Sequence, residues 1–209
     1  MDVYIIGCGG NGKVVADICE LNGYCIKGFF DDKYNNTSQL VYHKYQIIGK
    51  IDDIFNHQNI NIINSIGDCI GRKKIYTRVQ DLHLNWINCI HPNSYISSTA
   101  KIGLGNIICF GVFINSDARL GDFNLVNTYA IIEHDCLVGD FNHIAPKTTL
   151  CGGITVGNLN LLGAGTTIIP GKSIGSSNII GAMSAIINNI QDNCTVVGVP
   201  GQIIKSNNN

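Results

Sequence analysis

The triplet Glu133-His134-Asp135 combines the side chains that proton transfer requires. An imidazole titrates near neutrality, so His134 is suited to accept a proton from an attacking group. A neighbouring carboxylate can hold the other ring nitrogen and favour the proton-accepting tautomer. Because adjacent strand residues point to opposite faces, either acid reaches the ring only if the backbone turns there. The residues therefore indicate a general base whose acidic partner is open, with a solvent-facing surface histidine as the alternative.

A second candidate site lies near the N-terminus, in the segment Gly7-Cys8-Gly9-Gly10-Asn11-Gly12-Lys13. Its glycines follow the spacing G-x-G-x-x-G, and Asp31 and Asp32 stand nineteen and twenty residues beyond Gly12. Between a strand and a helix, this pattern is typical of loops whose backbone amides approach a pyrophosphate. About 86 residues precede the repeats of the second half, enough for one mononucleotide-binding half. We predict a cradle for the diphosphate of a nucleotide-linked sugar; a structural turn without ligand and an NAD site are the alternatives.

Residues 1–86 alternate strands with helices, which predicts a parallel α/β sheet, a half-Rossmann domain. Arg72, Lys73 and Lys74 are interpreted as a solvated helix face rather than as phosphate ligands. The predicted elements are a strand at Val3–Ile6, a helix ending near Leu21, a strand at Cys25–Phe30, a helix near Ile51–Asn56, a strand at Ile60–Ile66 and a helix near Arg72–Leu82.

Residues 87–209 carry a repeat with a period of six. Every sixth residue from Ile90 to Ile186 is Ile, Leu or Val, over seventeen consecutive hexads. This period fits neither a simple strand nor a helix. It fits a short extended segment followed by a corner, so that three hexads, one for each wall, close a coil around stacked aliphatic side chains. An antiparallel β-sandwich would instead break its alternation about every 8–12 residues.

The fourth residue after each aliphatic is mostly small or Asn, as in Ala118, Asn124, Asn142 and Asn160. Asn tolerates left-handed backbone conformations, so these residues are predicted to form the tight corners of each coil.

The composition argues against several classes of binding partner and of cellular location. Lys and Arg total 14 against 15 Asp and Glu, which gives no charge attraction to nucleic acid or an anionic membrane. No apolar run is long enough for a transmembrane helix, and no signal-peptide stretch follows Met1. Nine Cys, an odd number without any C-x-x-C pair, predict reduced thiols, a cytoplasmic location and no metal site.

The hexads resemble the hexapeptide-repeat acyltransferases, whose fold is a left-handed parallel β-helix. The resemblance covers about Asn88 to Lys205, including the closing segment Val196-Val197-Gly198-Val199-Pro200-Gly201. Members are usually trimers that bind acetyl-CoA between neighbouring prisms. The resemblance therefore implies a homotrimer with acetyl-CoA as cosubstrate.

The order of the two domains narrows the resemblance to sugar acetyltransferases, most closely those that act on nucleotide-linked 4-amino-4,6-dideoxyhexoses, and to sialic-acid O-acetylating proteins. The segments that carry it are Ile5 to Lys13, where Asn11 stands at a position the family often fills with His, Phe30-Asp31-Asp32, Ser65-Ile66-Gly67-Asp68 and Asn127 to Asp135.

This resemblance assigns roles to particular residues. It implies that His134 is the catalytic base, that Asp135 is its acidic partner and that His143 hydrogen-bonds near the acetyl-CoA carbonyl. Gly152 follows His134 by one full coil, so its amide is placed to stabilise an oxyanion. His143 follows by half a coil, so it can meet His134 only across a subunit interface.

Two further sets complete the predicted site. Ala164 and Ala182, one coil apart, are predicted to line a groove for the pantetheine arm of acetyl-CoA; small residues chosen for a corner are the alternative. The predicted substrate-binding residues are Gly9, Gly10, Asn11, Gly12, Lys13, Asp31, Asp32, Ser65, Gly67 and Asn127.

The leading hypothesis is an acetyl-CoA-dependent N-acetyltransferase that acts on the 4-amino group of a UDP-, GDP- or dTDP-linked 4-amino-4,6-dideoxyhexose. O-acetylation of sialic acid or a related sugar is the first alternative. A β-helical zinc hydratase and a sugar-binding module without catalysis are remote ones.

Overall fold

A computed structural model of the chain describes residues 1–34, 40–41 and 44–206. The chain divides into two units, Met1–Pro92 and Asn93–Asn209. No helix in the described ranges is long and apolar enough to cross a membrane.

The first unit is a sheet flanked by helices, as predicted. Its strands have the order β3-β4-β2-β1-β5-β6, and every pair is parallel except β3 with β4. In chain order the elements are β1 (Asp2–Ile6), α1 (Gly10–Leu21), β2 (Cys25–Phe30), β3 (Leu40–Val41), β4 (Tyr45–Gly49), a 3-10 helix (Ile51–Asn56), β5 (Asn61–Asn64), α2 (Cys69–Val79), β6 (Asn85–Trp86) and β7 (Cys89–Ile90).

Two local predictions need correction. The helix near Ile51–Asn56 is a 3-10 helix. Helix α2 begins at Cys69, earlier than the predicted Arg72, because the carboxylate of Asp68 caps it by accepting a hydrogen bond from the Gly71 amide. The central strands β1, β2 and β5 carry consecutive buried apolar residues and bury Ile5, Phe29 and Ile62 completely, as is typical of a parallel sheet covered on both faces.

The second unit is the predicted left-handed parallel β-helix. Each two-residue strand ends on one of the repeating aliphatic residues. Those from Tyr95–Ile96 to Thr167–Ile168 pair in parallel with the strand three hexads on, as Ile114 does with Ile132. The strands are β8 (Tyr95–Ile96), β9 (Lys101–Ile102), β10 (Ile107–Ile108), β11 (Phe113–Ile114), β12 (Arg119–Leu120), β13 (Leu125–Val126), β14 (Ile131–Ile132), β15 (Leu137–Val138), β16 (His143–Ile144), β17 (Thr149–Leu150), β18 (Thr155–Val156), β19 (Leu161–Leu162), β20 (Thr167–Ile168), β21 (Ser173–Ile174), β22 (Ile179–Ile180), β23 (Ala185–Ile186), β24 (Cys194–Val197) and β25 (Gln202–Ser206).

These strands form three faces. Face 1 holds β9, β12, β15, β18 and β21; face 2 holds β10, β13, β16, β19, β22, β24 and β25; face 3 holds β8, β11, β14, β17, β20 and β23. Two of the corners between faces matter below. The His134 corner (residues 116–117, 134–135, 152–153 and 170–171) joins face 3 to face 1. The Ala164 corner (residues 110–111, 128–129, 146–147, 164–165 and 182–183) joins face 2 to face 3.

From residue 105 to residue 183, the left-handed residue of each corner is the third after the aliphatic, and not the fourth as predicted. Asp117, Tyr129, Asp135 and Lys147, for example, have φ between 57° and 60°. The fourth residue points into the prism instead. Its side chain is small or Asn because interior space is limited, and because an interior Asn can pair with the next coil.

An asparagine ladder shows this pairing. The buried Asn142 donates its side-chain amide to the Gly157 carbonyl at 2.9 Å, and its Oδ1 accepts the backbone amide of Asn160, also at 2.9 Å. The ladder satisfies backbone groups that the turn leaves unpaired inside the prism, and it keeps successive coils aligned.

Candidate active site

The turn after β14 carries the predicted base. Asp135 has φ of 60°, so the chain turns and the Asp135 Oδ2 lies 2.8 Å from the His134 Nδ1. The Glu133 carboxylate instead accepts a hydrogen bond from the side-chain amide of Asn115 at 2.7 Å. Of the two acids that the residues left open, Asp135 is therefore the one that contacts the imidazole.

Electrostatics at this turn favour a defined tautomer. The hydrogen bond that His134 donates to the Asp135 carboxylate raises the pKa of His134 above its usual value, since a carboxylate stabilises the imidazolium. In the neutral ring Asp135 accepts the Nδ1 proton, which leaves the lone pair on Nε2. Both side chains are exposed in the single chain, at 60% and 66%, so the imidazole is accessible to a ligand.

Gly152 lies directly beside the His134 ring, one coil further along the same corner. A Cβ at this position would come within 2.6 Å of Cε1 and 2.7 Å of Nε2 of His134, so only glycine permits this ring position. The Gly153 amide donates to the His134 carbonyl at 2.9 Å and fixes the two turns together. Within the described residues the Gly152 amide has no hydrogen-bond acceptor.

His143 and Asn127 form a separate pair on face 2. The Asn127 Nδ2 and the His143 Nε2 are 3.4 Å apart. In a three-sided prism, face 2 is the face that does not meet the His134 corner. One chain therefore does not bring His134 and His143 together.

The two predicted alanines lie at the Ala164 corner. Ala164 and Ala182 are both exposed, and the amide of Met183 donates to the Ala164 carbonyl at 2.8 Å. Pro146 stands one coil earlier in the same column. This column thus presents a line of small side chains, next to Met183, whose side chain is 72% exposed.

The first unit contains a pocket of about 620 Å3 at the carboxyl ends of its strands. Seven of the predicted substrate-binding residues line it, whereas Gly12, Lys13 and Asn127 do not. The lining residues are Gly7, Gly9, Gly10, Asn11, Asp31, Asp32, Lys33, Ile51, Ser65, Ile66, Gly67, Gly71, Lys74 and Ile75.

The glycines of this loop serve two different needs. A Cβ at Gly12 would collide with the Gly7 carbonyl oxygen, so Gly12 is required for the packing of α1 against the loop. At Gly9, Gly10 and Gly67 no atom of the described residues lies within 4 Å of a Cβ, and none of the three has a left-handed φ. Nothing among the described residues therefore requires glycine at these three pocket positions.

Asp31 holds the glycine loop in place. Its carboxylate accepts the Cys8 amide at 2.8 Å and the Lys33 amide at 2.9 Å. Burial alone would raise the pKa of Asp31, but these two amides hold it below its usual value. Asp32 pairs with Arg78 at 2.6 Å. Both predicted ribose or base ligands therefore already have partners within the protein.

Asn11 and Ser65 connect the loop to β5. The Asn11 side-chain amide donates to the Ser65 carbonyl at 2.8 Å, and the buried Ser65 hydroxyl donates to the carbonyls of Ile6 and Gly7 at 2.7 and 2.8 Å. The geometry thus gives Ser65 a role in supporting the pocket wall.

Comparison with known proteins places the chain in a family. Residues 2–79 match the PglD N-terminal domain. The chain is 30% identical to perosamine N-acetyltransferase from Caulobacter crescentus, with a TM-score of 0.92 over 99% of this chain and 98% of that one. It is also 30% identical to the acetyltransferase domain of PglB from Neisseria gonorrhoeae, with a TM-score of 0.91 over 97% and 99%. The chain belongs to the PglD-like hexapeptide-repeat sugar acetyltransferases.

One further relative is viral. Over 106 residues the chain is 44% identical to an uncharacterized protein, L142, of Acanthamoeba polyphaga mimivirus. That stretch covers 51% of this chain and 21% of the viral protein.

For this member of the PglD-like family, sequence reasoning missed several pocket residues. Lys33 and Lys74 add positive charge to the lining, and Ile51 and Ile75 add apolar surface. Lys33 directly follows the two acids in the sequence, which is a usable signal, whereas Lys74 lies on the helix that the sequence predicts to be solvated. For Arg72 the prediction of a solvated position is wrong: Arg72 is fully buried and donates to the Ile66 and Gly67 carbonyls at 2.7 and 3.0 Å.

The contact between Asp135 and His134 predicts how the imidazole titrates. In Asp135→Asn the carboxylate is lost while the turn is kept, because Asn tolerates a left-handed φ. The pKa of His134 should therefore fall, and more neutral imidazole should be present at a given pH. Titration of the His134 Cε1 proton by NMR measures this.

Glu133→Gln is the matched control for this titration, since the Glu133 carboxylate pairs with Asn115 rather than with the ring. It should move the pKa of His134 less than Asp135→Asn does. An unchanged pKa in Asp135→Asn would contradict the assigned contact.

Proposed function

We propose that this protein transfers the acetyl group of acetyl-CoA to the 4-amino group of a nucleotide-linked 4-amino-4,6-dideoxyhexose. The observation that carries the proposal is the arrangement at the His134 corner, where an exposed imidazole is held by Asp135 with its Nε2 beside the Gly152 backbone. The relative from Caulobacter crescentus, which was crystallised with CoA and GDP-perosamine, supports the choice of substrates.

The chemistry is a direct acyl transfer. The neutral 4-amine attacks the thioester carbonyl carbon, a C–N bond forms, and His134 Nε2 takes the proton that the nitrogen loses. The C–S bond then breaks, and CoA leaves as a thiolate that takes up a proton. The Gly152 amide stabilises the oxyanion of the tetrahedral intermediate, and Asp135 stabilises the imidazolium that forms.

The pocket of the first unit is proposed to hold the nucleotide. Side chains are absent at Gly9, Gly10 and Gly67, where the protein has room for them, which leaves backbone amides open to a diphosphate. Helix α1 begins at Gly10 with no side-chain cap and no acid in its first turn, which favours an anion at this helix N-terminus. Lys33 and Lys74 supply positive charge.

We further propose that the acetyl-CoA site is shared between protomers of a homotrimer. Face 2, which carries Asn127 and His143, does not meet the His134 corner of its own chain, so a neighbouring protomer must supply it. The exposed aromatic pair Tyr95 and Phe113, stacked at 4.6 Å on face 3, supports burial of prism surface in an assembly. Ala164 and Ala182 would line the path of the pantetheine arm.

A panel of acceptors tests the function. UDP-, GDP- and dTDP-linked 4-amino-4,6-dideoxyhexoses and sialic acid are each mixed with acetyl-CoA, and free thiol is followed. Release with at least one amino sugar, and none with sialic acid, is expected because the glycine loop offers a diphosphate cradle that a free sugar acid does not use. Release with sialic acid alone would establish O-acetylation instead.

A methyl group added at Gly67 should affect nucleotide binding, whereas one added at Gly12 should affect stability. Gly67→Ala should keep the melting temperature but weaken nucleotide binding by about tenfold, since an extra methyl forced into a filled site costs about 1–3 kcal/mol. Gly12→Ala should lower the melting temperature, because its methyl meets the Gly7 carbonyl. Calorimetric titration with UDP, GDP and dTDP, together with thermal melting, checks both; undiminished nucleotide affinity in Gly67→Ala would count against the cradle.

A further inference from the structure

Interior side chains of the β-helix donate hydrogen bonds to carbonyls of the next coil. The Thr148 hydroxyl donates to the Gly163 carbonyl at 3.1 Å, and the Thr166 hydroxyl donates to the Gly181 carbonyl at 3.1 Å. Each donor is the fourth residue after a repeating aliphatic residue. Each acceptor is the first residue of the turn that lies directly above, at the same corner of the next coil. Such a bond fixes the tilt of the peptide that begins the next turn.

At the His134 corner, one of the three interior residues 118, 136 and 154 has a side chain that can donate such a hydrogen bond. Ala118 and Ile154, one coil before and one coil after, have side chains that cannot donate. Between them lies Cys136, fully buried, whose Sγ is 3.1 Å from the Cys151 carbonyl oxygen. Burial raises the pKa of the Cys136 thiol, so it keeps its proton. In the described residues this carbonyl accepts no other hydrogen bond.

The Cys151 carbonyl and the Gly152 amide belong to the same peptide unit. That unit is trans, and in a trans peptide the C=O and the N–H point in opposite directions. Because the carbonyl points inward to the thiol, the Gly152 N–H points outward, on the side where the His134 ring lies. The Cys136 thiol therefore contacts the same peptide unit whose amide lies on the side of the His134 ring.

We propose that Cys136 is a positioning residue for acetyl transfer, which orients the Gly152 amide toward the oxyanion by holding the Cys151 carbonyl. This rests on the proposed function, in which that amide stabilises the tetrahedral intermediate. Cys136 touches no reacting atom, and its thiol is not a nucleophile. A packing role alone would require only a side chain of similar volume.

Two variants of Cys136 with equal side-chain shape separate a positioning role from a packing role. Cys136→Thr supplies a hydroxyl that can make the bond that Thr148 and Thr166 already make, whereas Cys136→Val has the same shape without a donor. Removing an oxyanion donor costs about 10²–10³ in kcat; a misdirected donor should cost about tenfold in Cys136→Val, with the KM for acetyl-CoA unchanged. Cys136→Thr should stay within about threefold of the wild-type kcat.

Ile174→Val is the stability control. It removes one methyl from the interior of face 1 and should lower the melting temperature without lowering kcat. Equal kcat values in Cys136→Thr and Cys136→Val would overturn the proposal and leave Cys136 a packing residue.

A second measurement does not depend on turnover. The ¹⁵N–¹H signal and the hydrogen-exchange rate of the Gly152 amide should change in Cys136→Val and return toward wild-type values in Cys136→Thr. If the wild-type protein transferred no acetyl group to any acceptor, the proposed function would fail while this measurement still tested the orientation of the amide. Signals identical in all three proteins would overturn that orientation.

Discussion

A left-handed residue at every sixth position, from residue 105 to residue 183, makes the coils of the second unit possible. A non-glycine residue with φ near 60° costs about 1–2 kcal/mol, yet Asp117, Phe123, Asp135 and Phe141 all adopt this conformation. The cost is offset because each such turn sends the chain to the next face and brings the aliphatic residues into stacked columns. Phe123 and Phe141 also stack on each other at 5.0 Å, so the turn residues themselves contribute packing.

The same turn produces the candidate active site. In an extended strand Asp135 and His134 would point to opposite faces; the left-handed turn brings the carboxylate onto the ring. The coil of three hexads then places Gly152 beside that ring and Cys136 beneath the Gly152 peptide. The proposed base, its acidic partner, the proposed amide donor and the thiol beneath it thus all lie on two successive turns of one corner, without a loop inserted into the repeat.

The sequence predicted the β-helix because an aliphatic period of six has few structural solutions, and it predicted the proximity of His134 and Gly152 because their spacing equals one coil. The residue types alone left open which acid contacts the imidazole, since that depends on the sign of φ at one residue; only the family resemblance implied Asp135, which is the acid in contact. The sequence misplaced the buried asparagines because Asn suits both a left-handed turn and an interior ladder. Burial of Arg72 depended on how α2 packs, which composition and charge do not reveal.

Complementation between two inactive variants tests whether the active site is shared between protomers. His134→Asn and His143→Asn chains, each carrying a different tag, are co-expressed, and trimers with both tags are isolated and assayed for acetyl transfer. Each variant alone should be nearly inactive, while a mixed trimer contains one interface with both histidines intact and should recover about one third of the wild-type rate. Mixed trimers no more active than either parent, or a fully active His134→Asn protein, would contradict the account.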